Sequence, residues 1–599
     1  MKPFAIALPL LFLAPARLSG QGPPDSVPPS RPAAASSCES GIVSIVFVDN
    51  HSIFDTSDLR RERRFDWAYR LANALHVRTR REVIERELLV RPGDCLDPML
   101  LEESERLLRA YPFLSRVDIF AVPQPDGTHH VVVDTQDEWS TQLDLRVGVD
   151  DGLEFEGVRL RELNLLGTGR LLEFFYLERD ANREYGFGYE TPQLFRTRWD
   201  MRLAAGRTRA GSFLRQSIAY PFVGEAGRWA ARQALRRQDR FFDYALDGDI
   251  EEHLLLPVRE QAVELAVVGR SGRVGALTTF GAAVSRQALS YPGGVAAIER
   301  SIGDAYDSIA TADDAAIAAV RRQMTELDAL RVTALLGRRN IAWVTRRGFD
   351  SMRGAQDIAL GFDVEAAVGV AFPAGSGGRL VAGLDAYGAH ELGNLFLAAD
   401  LRVDARRARG AENGGGWEDV LADGELLAYW RPAALARHTF LLRGAGTGAW
   451  QTRTPFQLTL GGDFGLRGYD RYRLPGGRRL LFSLEDRVYF GWPFRDVLDL
   501  GGTLFVDVGR VWPGDAPFGV DSGWRAAAGL GVRGAFPAGG RTTYRIDLAW
   551  PVTHGASWRD LRLIVSIGEL LGLDARARAE RAPQFRQLGL AGDVFHFPR

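Results

Sequence analysis

A glycine-flanked arginine followed by two spaced acidic residues is the pattern in this chain that could do the most specific chemistry. Arg467 stands in the sequence Leu-Arg-Gly-Tyr, which ends at Tyr469, and Glu485 and Asp507 follow on two segments that alternate polar and apolar residues. A guanidinium presents a planar fork that matches the two oxygens of a carboxylate. Little backbone bulk surrounds Arg467, so its side chain can reach far from the loop. We therefore expect Arg467 to bind Glu485 and Asp507.

The segment from Leu460 to Trp512, which holds this pattern, resembles the bacterial surface antigen family. Its BamA- and TamA-like members are outer-membrane assembly factors that join periplasmic POTRA domains to a β-barrel. In that family, a loop in which Val, Leu or Ile precedes Arg-Gly-Phe or Arg-Gly-Tyr folds back into the barrel, and its arginine meets acids of the next two strands. The resemblance implies a loop fixed in the lumen by Arg467, Gly468, Tyr469, Glu485, Phe505 and Asp507. An ordinary glycine-rich hairpin is the alternative.

Two short upstream segments resemble periplasmic turns of the same family. The sequence Asn-Leu-Leu-Gly-Thr-Gly, residues 164–169, resembles the turn between the second and third barrel strands. The segment around Pro192 resembles the proline-containing turn between the fourth and fifth strands. The resemblance thus assigns Asn164, Gly167, Gly169 and Pro192 to periplasmic turns.

Length and composition indicate how many domains the chain has and which classes of protein it excludes. At 599 residues the chain is too long for one ordinary globular domain, and its net charge of −2 gives no basic field for nucleic acid. Residues 1–20 are expected to be a signal peptide, and the Pro-, Ala- and Ser-rich residues 21–37 a disordered linker. No later run of about 18 apolar residues predicts a helical membrane span.

Residues 38–139 are expected to form a POTRA domain. Their pattern predicts the order strand, helix, helix, strand, strand, and residues 83–119 resemble a POTRA closely. Residues 79–82, starting at Thr79, have the capping-box spacing that begins a helix, and Asp97-Pro98 marks a second helix start. A structural α+β domain without a binding partner is the alternative. Cys38 and Cys95 could form a disulfide in an exported protein.

Residues 140–569 are expected to form an antiparallel transmembrane β-barrel. They are dominated by segments of about ten residues in which apolar and polar residues alternate, the length of a tilted membrane strand. A closed barrel has no sheet edges exposed to lipid; a soluble sandwich is the alternative. The resemblance implies about sixteen strands, five of them after Tyr469, whereas upstream segments allow up to about 20 in total. Either some upstream segments are surface loops, as the Ala-rich and helical residues 288–331 are expected to be, or the barrel is wider.

The last residues, 570–599, would follow the final strand of the barrel. Family members usually end at that strand with an aromatic residue that serves as an assembly signal. Here the chain continues and ends with Phe595-His596-Phe597-Pro598-Arg599. The extension either reproduces that signal at its end, or it plugs or caps the barrel.

The sequence holds no enzyme motif that we can identify. There is no G-x-S-x-G, and residues 444–448 lie in a strand pattern without the helix that a phosphate loop needs. His129 and His130 are adjacent on an expected strand, so they point to opposite faces and predict no shared metal ion. We expect a protein that is not an enzyme and binds neither a cofactor nor a metal.

These features together predict an outer-membrane protein that helps to insert or translocate other proteins. Client strands would add to the POTRA sheet edge and to the seam between the first strand, Thr141–Val149, and the last, Asp560–Leu570. Expected partners are outer-membrane lipids, unfolded outer-membrane or secreted proteins and periplasmic accessory proteins, with no nucleic acid. The alternatives are a secretion pore for one dedicated substrate, as in two-partner secretion, and a structural or passive barrel without clients.

Overall fold

The computed structural model describes residues 38, 40–54, 66–149, 153–179, 182–246, 252–302, 309–373, 378–408, 416–462, 465–470, 473–491, 497–553, 560–569, 571–573 and 595. The expected signal peptide and linker, and most of the expected C-terminal extension, lie outside the described residues. Among the helices that are described, none is long and apolar enough to cross a membrane.

The first part of the chain, residues 40–139, forms a three-stranded sheet with helices on one face, and we call it the N-terminal unit. Its elements are β1 (Val43–His51), α1 (Asp66–Leu75), α2 (Arg81–Glu87), α3 (Pro98–Arg109), β2 (Leu114–Pro123) and β3 (His129–Asp137). The central strand β3 is parallel to β1 and antiparallel to β2. Alternate apolar side chains of the sheet, such as Val131 and Val133, pack against Ile84 of α2 and Leu108 of α3 in one buried cluster.

The two expected helix starts behave differently. Asp97 caps α3, because its carboxylate accepts a hydrogen bond from the Met99 N–H at 2.9 Å and a proline occupies the first turn. The capping box predicted at Thr79 is wrong, since α2 begins at Arg81 without a side-chain cap. Thr79 Oγ1 instead accepts a hydrogen bond from Asn164 Nδ2 at 2.8 Å, so a tertiary contact has replaced the local one.

The described chain from Thr141 onward forms a closed antiparallel β-barrel. Its first nine strands are β4 (Thr141–Val149), β5 (Leu153–Glu162), β6 (Leu171–Arg179), β7 (Asn182–Leu194), β8 (Trp199–Thr208), β9 (Gly211–Tyr220), β10 (Trp229–Ala245), β11 (Glu252–Arg273) and β12 (Ala276–Ser290). A surface segment follows, with β13 (Glu299–Ile302), β14 (Ile309–Thr311) and α4 (Asp314–Arg321).

Eleven further barrel strands complete the ring. Six precede the long loop of Arg467: β15 (Leu327–Arg346), β16 (Gln356–Pro373), β17 (Arg379–Leu392), β18 (Leu395–Ala408), β19 (Trp417–Trp430) and β20 (His438–Trp450). Two short strands, β21 (Leu458–Thr459) and β22 (Pro475–Gly476), belong to that loop. The last five are β23 (Arg478–Tyr489), β24 (Asp499–Trp512), β25 (Arg525–Ala535), β26 (Thr543–Pro551) and β27 (Arg562–Ile567).

The described residues give the barrel twenty strands. β13 and β14 only extend the surface end of β11, because β12 pairs directly with β15. The sixteen strands implied by the family resemblance are too few, and the additional strands lie upstream of Arg467. Among the described residues of the expected helical loop 288–331, only those of α4 form an α-helix. The ring closes where β27 lies beside β4, and β27 has only six residues, fewer than the expected strand Asp560–Leu570.

Apolar side chains point out of the barrel and polar side chains point in. On β24, Leu504 and Val506 are exposed on the outside, whereas Thr503, Phe505 and Asp507, which alternate with them, are buried. β26 repeats the pattern. The barrel therefore has the apolar outer surface that lipid requires, and its buried charged groups need partners inside the lumen.

Candidate functional site in the barrel lumen

The loop between β20 and β23 folds back into the lumen. Its two arms pair as β21 and β22, and Gly461 forms a further bridge with Leu466. Leu460, Leu466 and Tyr469 are buried in an apolar cluster with side chains of the strands. Burial of these apolar side chains holds the loop inside the barrel and brings the intervening Arg467 to the inner wall.

Arg467 is only 1% exposed, and its guanidinium binds carboxylates of two neighbouring strands. Its Nε and Nη2 donate to the two carboxylate oxygens of Asp507 on β24, each at 2.7 Å, and its Nη1 donates to Glu485 on β23. The guanidinium also lies 3.6 Å from the ring centre of Phe505, within cation–π distance. The structure thus brings together four of the residues that the sequence analysis assigns to one contact, namely Arg467, Glu485, Phe505 and Asp507.

Gly468 and Tyr469 fit the loop against the wall formed by β25 and β26. A Cβ on Gly468 would lie 2.6 Å from the carbonyl carbon of Trp550, so the backbone passes closer than a larger residue allows. The Tyr469 hydroxyl lies 3.0 Å from Thr553 Oγ1 and is buried among apolar neighbours. The residues next to Arg467 therefore set the depth at which its side chain enters the lumen.

Glu485 is shared by three arginines. Besides Arg467, Arg545 on β26 donates Nη2 to Glu485 Oε1 at 2.9 Å, and Arg487 on β23 donates Nε to Oε2 at 2.8 Å. Arg545 also donates to Asp547 at 2.6 Å and to Glu569 at 3.0 Å. The contact of Arg467 is therefore one end of a larger set of buried ion pairs, which we call the lumen network.

The lumen network also binds a turn that enters from the opposite rim. The turn between β15 and β16 places Asp350 inside the barrel, 3.1 Å from Arg487 Nη1. The Tyr429 hydroxyl donates to the Asp350 carboxylate at 2.6 Å, and Arg533 Nη2 donates to the main-chain carbonyl oxygen of Asp350 at 2.9 Å. Hydrogen-bonded charges thus connect the loop of Arg467 at one rim with a turn at the other.

The lumen network has nearly balanced charge. Its described members are four arginines and five carboxylates: Arg467, Arg487, Arg533, Arg545, Asp350, Glu485, Asp507, Asp547 and Glu569. Removing one partner of a buried ion pair costs about 3–5 kcal/mol, because the other charge stays buried. No described group of three His, Cys, Asp or Glu residues could hold a metal ion. What this arrangement can do is hold separate chain segments together.

The turn between β5 and β6 binds the N-terminal unit. Asn164 accepts a hydrogen bond from the Gly169 N–H at 2.8 Å and donates to Thr79 Oγ1, also at 2.8 Å. Gly167 has a φ of 71°, which favours glycine, and a Cβ there would collide with the Arg78 carbonyl oxygen. Three of the four expected turn residues therefore lie at a contact between the barrel and the N-terminal unit.

The fourth expected turn residue, Pro192, is wrongly placed by the sequence prediction. It lies inside β7, at an irregularity of the pairing with β8, and the turn follows at residues 195–198. Proline has no N–H to donate, so a break in the ladder is a position that it tolerates. Its neighbour Gln193 donates to the Val83 carbonyl oxygen at 3.0 Å and to Glu87 at 2.7 Å, which attaches this end of β7 to α2.

Other turns and strand ends around the same rim contact α3 and the residues after β3. Arg109 donates Nε and Nη2 to the two carboxylate oxygens of Asp357, at 2.9 and 2.8 Å. Glu103 accepts the N–H of Glu225 at 2.8 Å. Glu138 accepts the Thr542 N–H at 3.1 Å, and burial raises the pKa of the Glu138 carboxyl. The N-terminal unit is thus attached at several points around the barrel mouth.

A disulfide joins Cys38 to Cys95, whose Cα atoms are 5.4 Å apart. It connects the residue that precedes β1 to the segment before α3, across a sequence separation of 57 residues. Closing a loop of this length stabilises a fold by about 4 kcal/mol on the chain-entropy account. These are the only two cysteines of the chain.

The face of the N-terminal sheet that lies away from the helices exposes apolar side chains. Phe47 on β1 and Phe120 on β2 flank Val132 of β3, and the two rings are 47% and 48% exposed. Ile45 and Val122 are exposed in the next row of the sheet. Two adjacent rows therefore form an apolar surface on the outside of a small domain.

The outer edge of β2 borders this apolar surface. No other described strand pairs with that edge, because β2 is the last strand in the order β1-β3-β2. Glu105 of α3 accepts the N–H of Ile119 at 3.0 Å, so a side chain rather than a strand covers one point of it. A strand edge of this kind can accept a further strand.

Sequence reasoning missed most of the lumen network: Asp350, Arg487, Arg533, Arg545, Asp547 and Glu569. Arg487 carried a usable signal, since it follows Glu485 by two residues on a strand and must share its face. Arg545 carried the same signal relative to Asp547. Asp350 belongs to a turn and Glu569 follows the last strand, and no local pattern indicates that either segment enters the lumen.

Comparison with known proteins finds distant similarity. Neither a protein-family model nor a curated protein matches the sequence. Among solved structures, the chain is similar to BamA from Haemophilus ducreyi lacking POTRA domains 1–3, with a TM-score of 0.40 and 11% identity over 87% of this chain and 84% of that one. It is similar to CdiB from Escherichia coli, with a TM-score of 0.39 and 11% identity over 91% and 92%. The outer membrane protein OpdK from Pseudomonas aeruginosa gives 0.29 and 13% over 71% and 96%.

Proposed function

We propose that this protein is an outer-membrane barrel that helps to insert or translocate other proteins, with residues 38–139 acting as a periplasmic POTRA domain. The observation that carries the proposal is the outer edge of β2, which has no strand partner in the described chain and borders the exposed rings of Phe47 and Phe120. An extended client can add to such an edge through main-chain hydrogen bonds, which need little sequence specificity. The apolar surface beside the edge suits clients whose strands carry apolar side chains on one face.

The chain segments bound inside the lumen support a role other than passive diffusion. The loop of Arg467 and the turn of Asp350 both enter the barrel and meet in the lumen network. We assign Arg467, Gly468, Tyr469, Glu485, Phe505 and Asp507 to a contact that fixes the surface loop inside the barrel. Segments that buried ion pairs hold against the inner wall reduce the cross-section available to a diffusing solute.

The short strand β27 supports a route by which clients reach the membrane. Its six residues pair with β26 and close the ring beside β4, which has nine residues. The shorter strand limits the number of main-chain hydrogen bonds at a seam. The seam between β27 and β4 can therefore exchange its hydrogen bonds for bonds to a client strand at low cost. Proposed partners are outer-membrane lipids, unfolded outer-membrane or secreted proteins, and periplasmic accessory proteins.

Site-specific crosslinking tests the proposal. A photoreactive amino acid replaces Phe120 in the full-length protein, reconstituted in liposomes, and a urea-unfolded outer-membrane barrel protein is added as the probe. We expect a crosslink from position 120 and none from Glu102, an exposed position on α3 that serves as the matched control. Equal crosslinking from both positions, or none from either, would contradict the proposal. A crosslink to an unfolded secreted protein alone would favour the secretion pore.

A further inference from the structure

The chain turns into the barrel directly after its last strand. Gly568 has a φ of 90°, a left-handed conformation that favours glycine, and its N–H donates to the Thr543 carbonyl oxygen at 2.7 Å. The next residue, Glu569, is buried and accepts hydrogen bonds from Arg533 Nε at 2.9 Å and Arg545 Nη1 at 3.0 Å. The start of the C-terminal extension is therefore held inside the lumen by charged groups of the wall.

The residues that follow bind the same part of the lumen. Arg487 Nη2 donates to the Leu571 carbonyl oxygen at 2.7 Å, and the Leu573 N–H donates to Asp350 Oδ2 at 2.8 Å. The side chain of Leu571 is buried in an apolar cluster that includes Phe349 on the inserted turn. Backbone and side chain of this segment are thus both bound, which distinguishes it from a chain end that merely passes nearby.

Phe595 lies against another part of the wall. It is 5% exposed and belongs to one buried apolar cluster with luminal side chains of five consecutive barrel strands, β11, β12, β15, β16 and β17. The other buried members of the cluster include Ala266, Val268, Ala283, Leu335, Ala367 and Val381. A Cβ on Gly281 would lie 3.3 Å from a ring carbon of Phe595. Small residues on adjacent strands therefore leave the room that an aromatic ring fills, and we call this place the aromatic pocket.

We propose that the lumen carries two binding sites for the protein's own C-terminal extension. The first is the charged site of Asp350, Arg487, Arg533 and Arg545, which binds Glu569, Leu571 and Leu573. The second is the aromatic pocket, which binds Phe595. The two sites lie on separate arcs of the ring, so the described residues of the extension bind the lumen wall at two places. An aromatic end that served as an exposed assembly signal would instead be accessible from outside the barrel.

Cysteine accessibility tests this assignment. Because both native cysteines are bonded to each other, Ala283→Cys places a single free thiol in the wall of the aromatic pocket. Its reaction rate with a membrane-impermeant methanethiosulfonate is measured in the otherwise unchanged chain, in Phe595→Ala and in a chain ending at Leu573. We expect the rate to rise at least tenfold in both variants, because water and reagent enter the vacated pocket.

Two controls separate loss of the extension from a general loosening of the barrel. Phe280→Ala removes the same ring type from the outer face of the same strand, and we expect it to leave the rate at position 283 unchanged. As a second control, Ser217→Cys introduces a thiol on β9, where Ser217 pairs with the luminal Ala234 of the neighbouring strand β10. We expect this thiol to react at the same rate in all variants. Equal rates at position 283 in every variant would overturn the proposal. A rise on truncation alone, with Phe595→Ala as protected as the unchanged chain, would overturn the aromatic pocket.

Discussion

Two walls of the same lumen hold their ion pairs in opposite surroundings. In the wall of β23 to β27, Arg545 and Glu485 pair with both side chains 0% exposed. In the wall of β7 to β9, Arg215 and Glu184 pair at a similar distance, 3.1 Å, but with 46% and 29% of their side chains exposed. The first wall, which we call the dry wall, is covered by inserted chain segments. The second, the wet wall, faces solvent within the described structure.

Ion pairs of the same residue types, at similar distances, therefore contribute differently to the stability of the two walls. Exposed ion pairs contribute about 0–1 kcal/mol, because water and salt screen both charges. Breaking a buried pair costs about 3–5 kcal/mol, because the remaining charge loses its partner and cannot recover water. Both walls alternate charged with apolar residues in sequence, so only the covering segments decide which pairs hold the structure together.

The largest difference between the walls should come from removing one arginine in each. Arg467→Ala leaves Asp507 and part of Glu485 unpaired in the dry wall, and we expect a loss of about 3–5 kcal/mol in the free energy of unfolding. Arg215→Ala in the wet wall should cost no more than about 1 kcal/mol. Heat-modifiable migration during urea titration, with surface abundance in cells, measures both. Equal midpoints for the two variants would remove the distinction between the walls.

A smaller difference should follow from deleting one tyrosine hydroxyl. The Tyr429 hydroxyl donates to the buried Asp350 at 2.6 Å, and Tyr429→Phe should cost about 1.5–3 kcal/mol, because a charged acceptor loses its donor. The Tyr176 hydroxyl donates to Glu178 at the same distance, near the rim of β6, where water can replace it. Tyr176→Phe should therefore stay below about 0.5 kcal/mol. The same urea titration measures the free energy of unfolding of both variants. A loss in Tyr176→Phe larger than that in Tyr429→Phe would show that burial is not the cause of the difference.

The smallest expected difference comes from adding one methyl group. Gly468→Ala would place a Cβ 2.6 Å from the Trp550 carbonyl carbon and should cost about 1–3 kcal/mol through a forced shift of the loop. Gly188→Ala on β7 would meet its nearest atom, Glu173 Cβ, at 3.5 Å, which is an ordinary contact. We expect that variant to stay within about 0.5 kcal/mol of the unchanged protein. Identical stabilities would mean that the loop does not seat as deeply as its backbone position indicates.

Much of the wall near Arg467 could be predicted from sequence. Alternation and the spacing of Glu485 and Asp507 from Arg467 indicated which strands meet the loop, and five strands follow it, as the family resemblance implied. The upstream wall could not be counted in the same way, because strands such as β11 are 22 residues long. A period of two fixes which face a residue occupies but gives neither the register nor the number of strands.

Predictions from local pattern failed where a partner distant in sequence intervened. Thr79 has the spacing of a capping residue, yet its hydroxyl binds Asn164, 85 residues away. Proline is common in turns, yet Pro192 lies inside β7 at an irregularity of its pairing with β8. The next residue, Gln193, binds α2 there. Asp350 is connected to Arg487 across 137 residues. In each case the decisive interaction joins the barrel to another segment, which no short window of sequence contains.

The attachment of the N-terminal unit has a geometric consequence. A domain joined to a barrel by one flexible link could sweep through a wide cone and offer its cargo anywhere beneath the membrane. Here Thr79, Glu87, Glu103 and Arg109 each bind a residue in or next to a different turn of the barrel, so the N-terminal unit cannot swivel without breaking several contacts at once. For the proposed function, this means that a client strand added to β2 would be held at one fixed position relative to the barrel mouth.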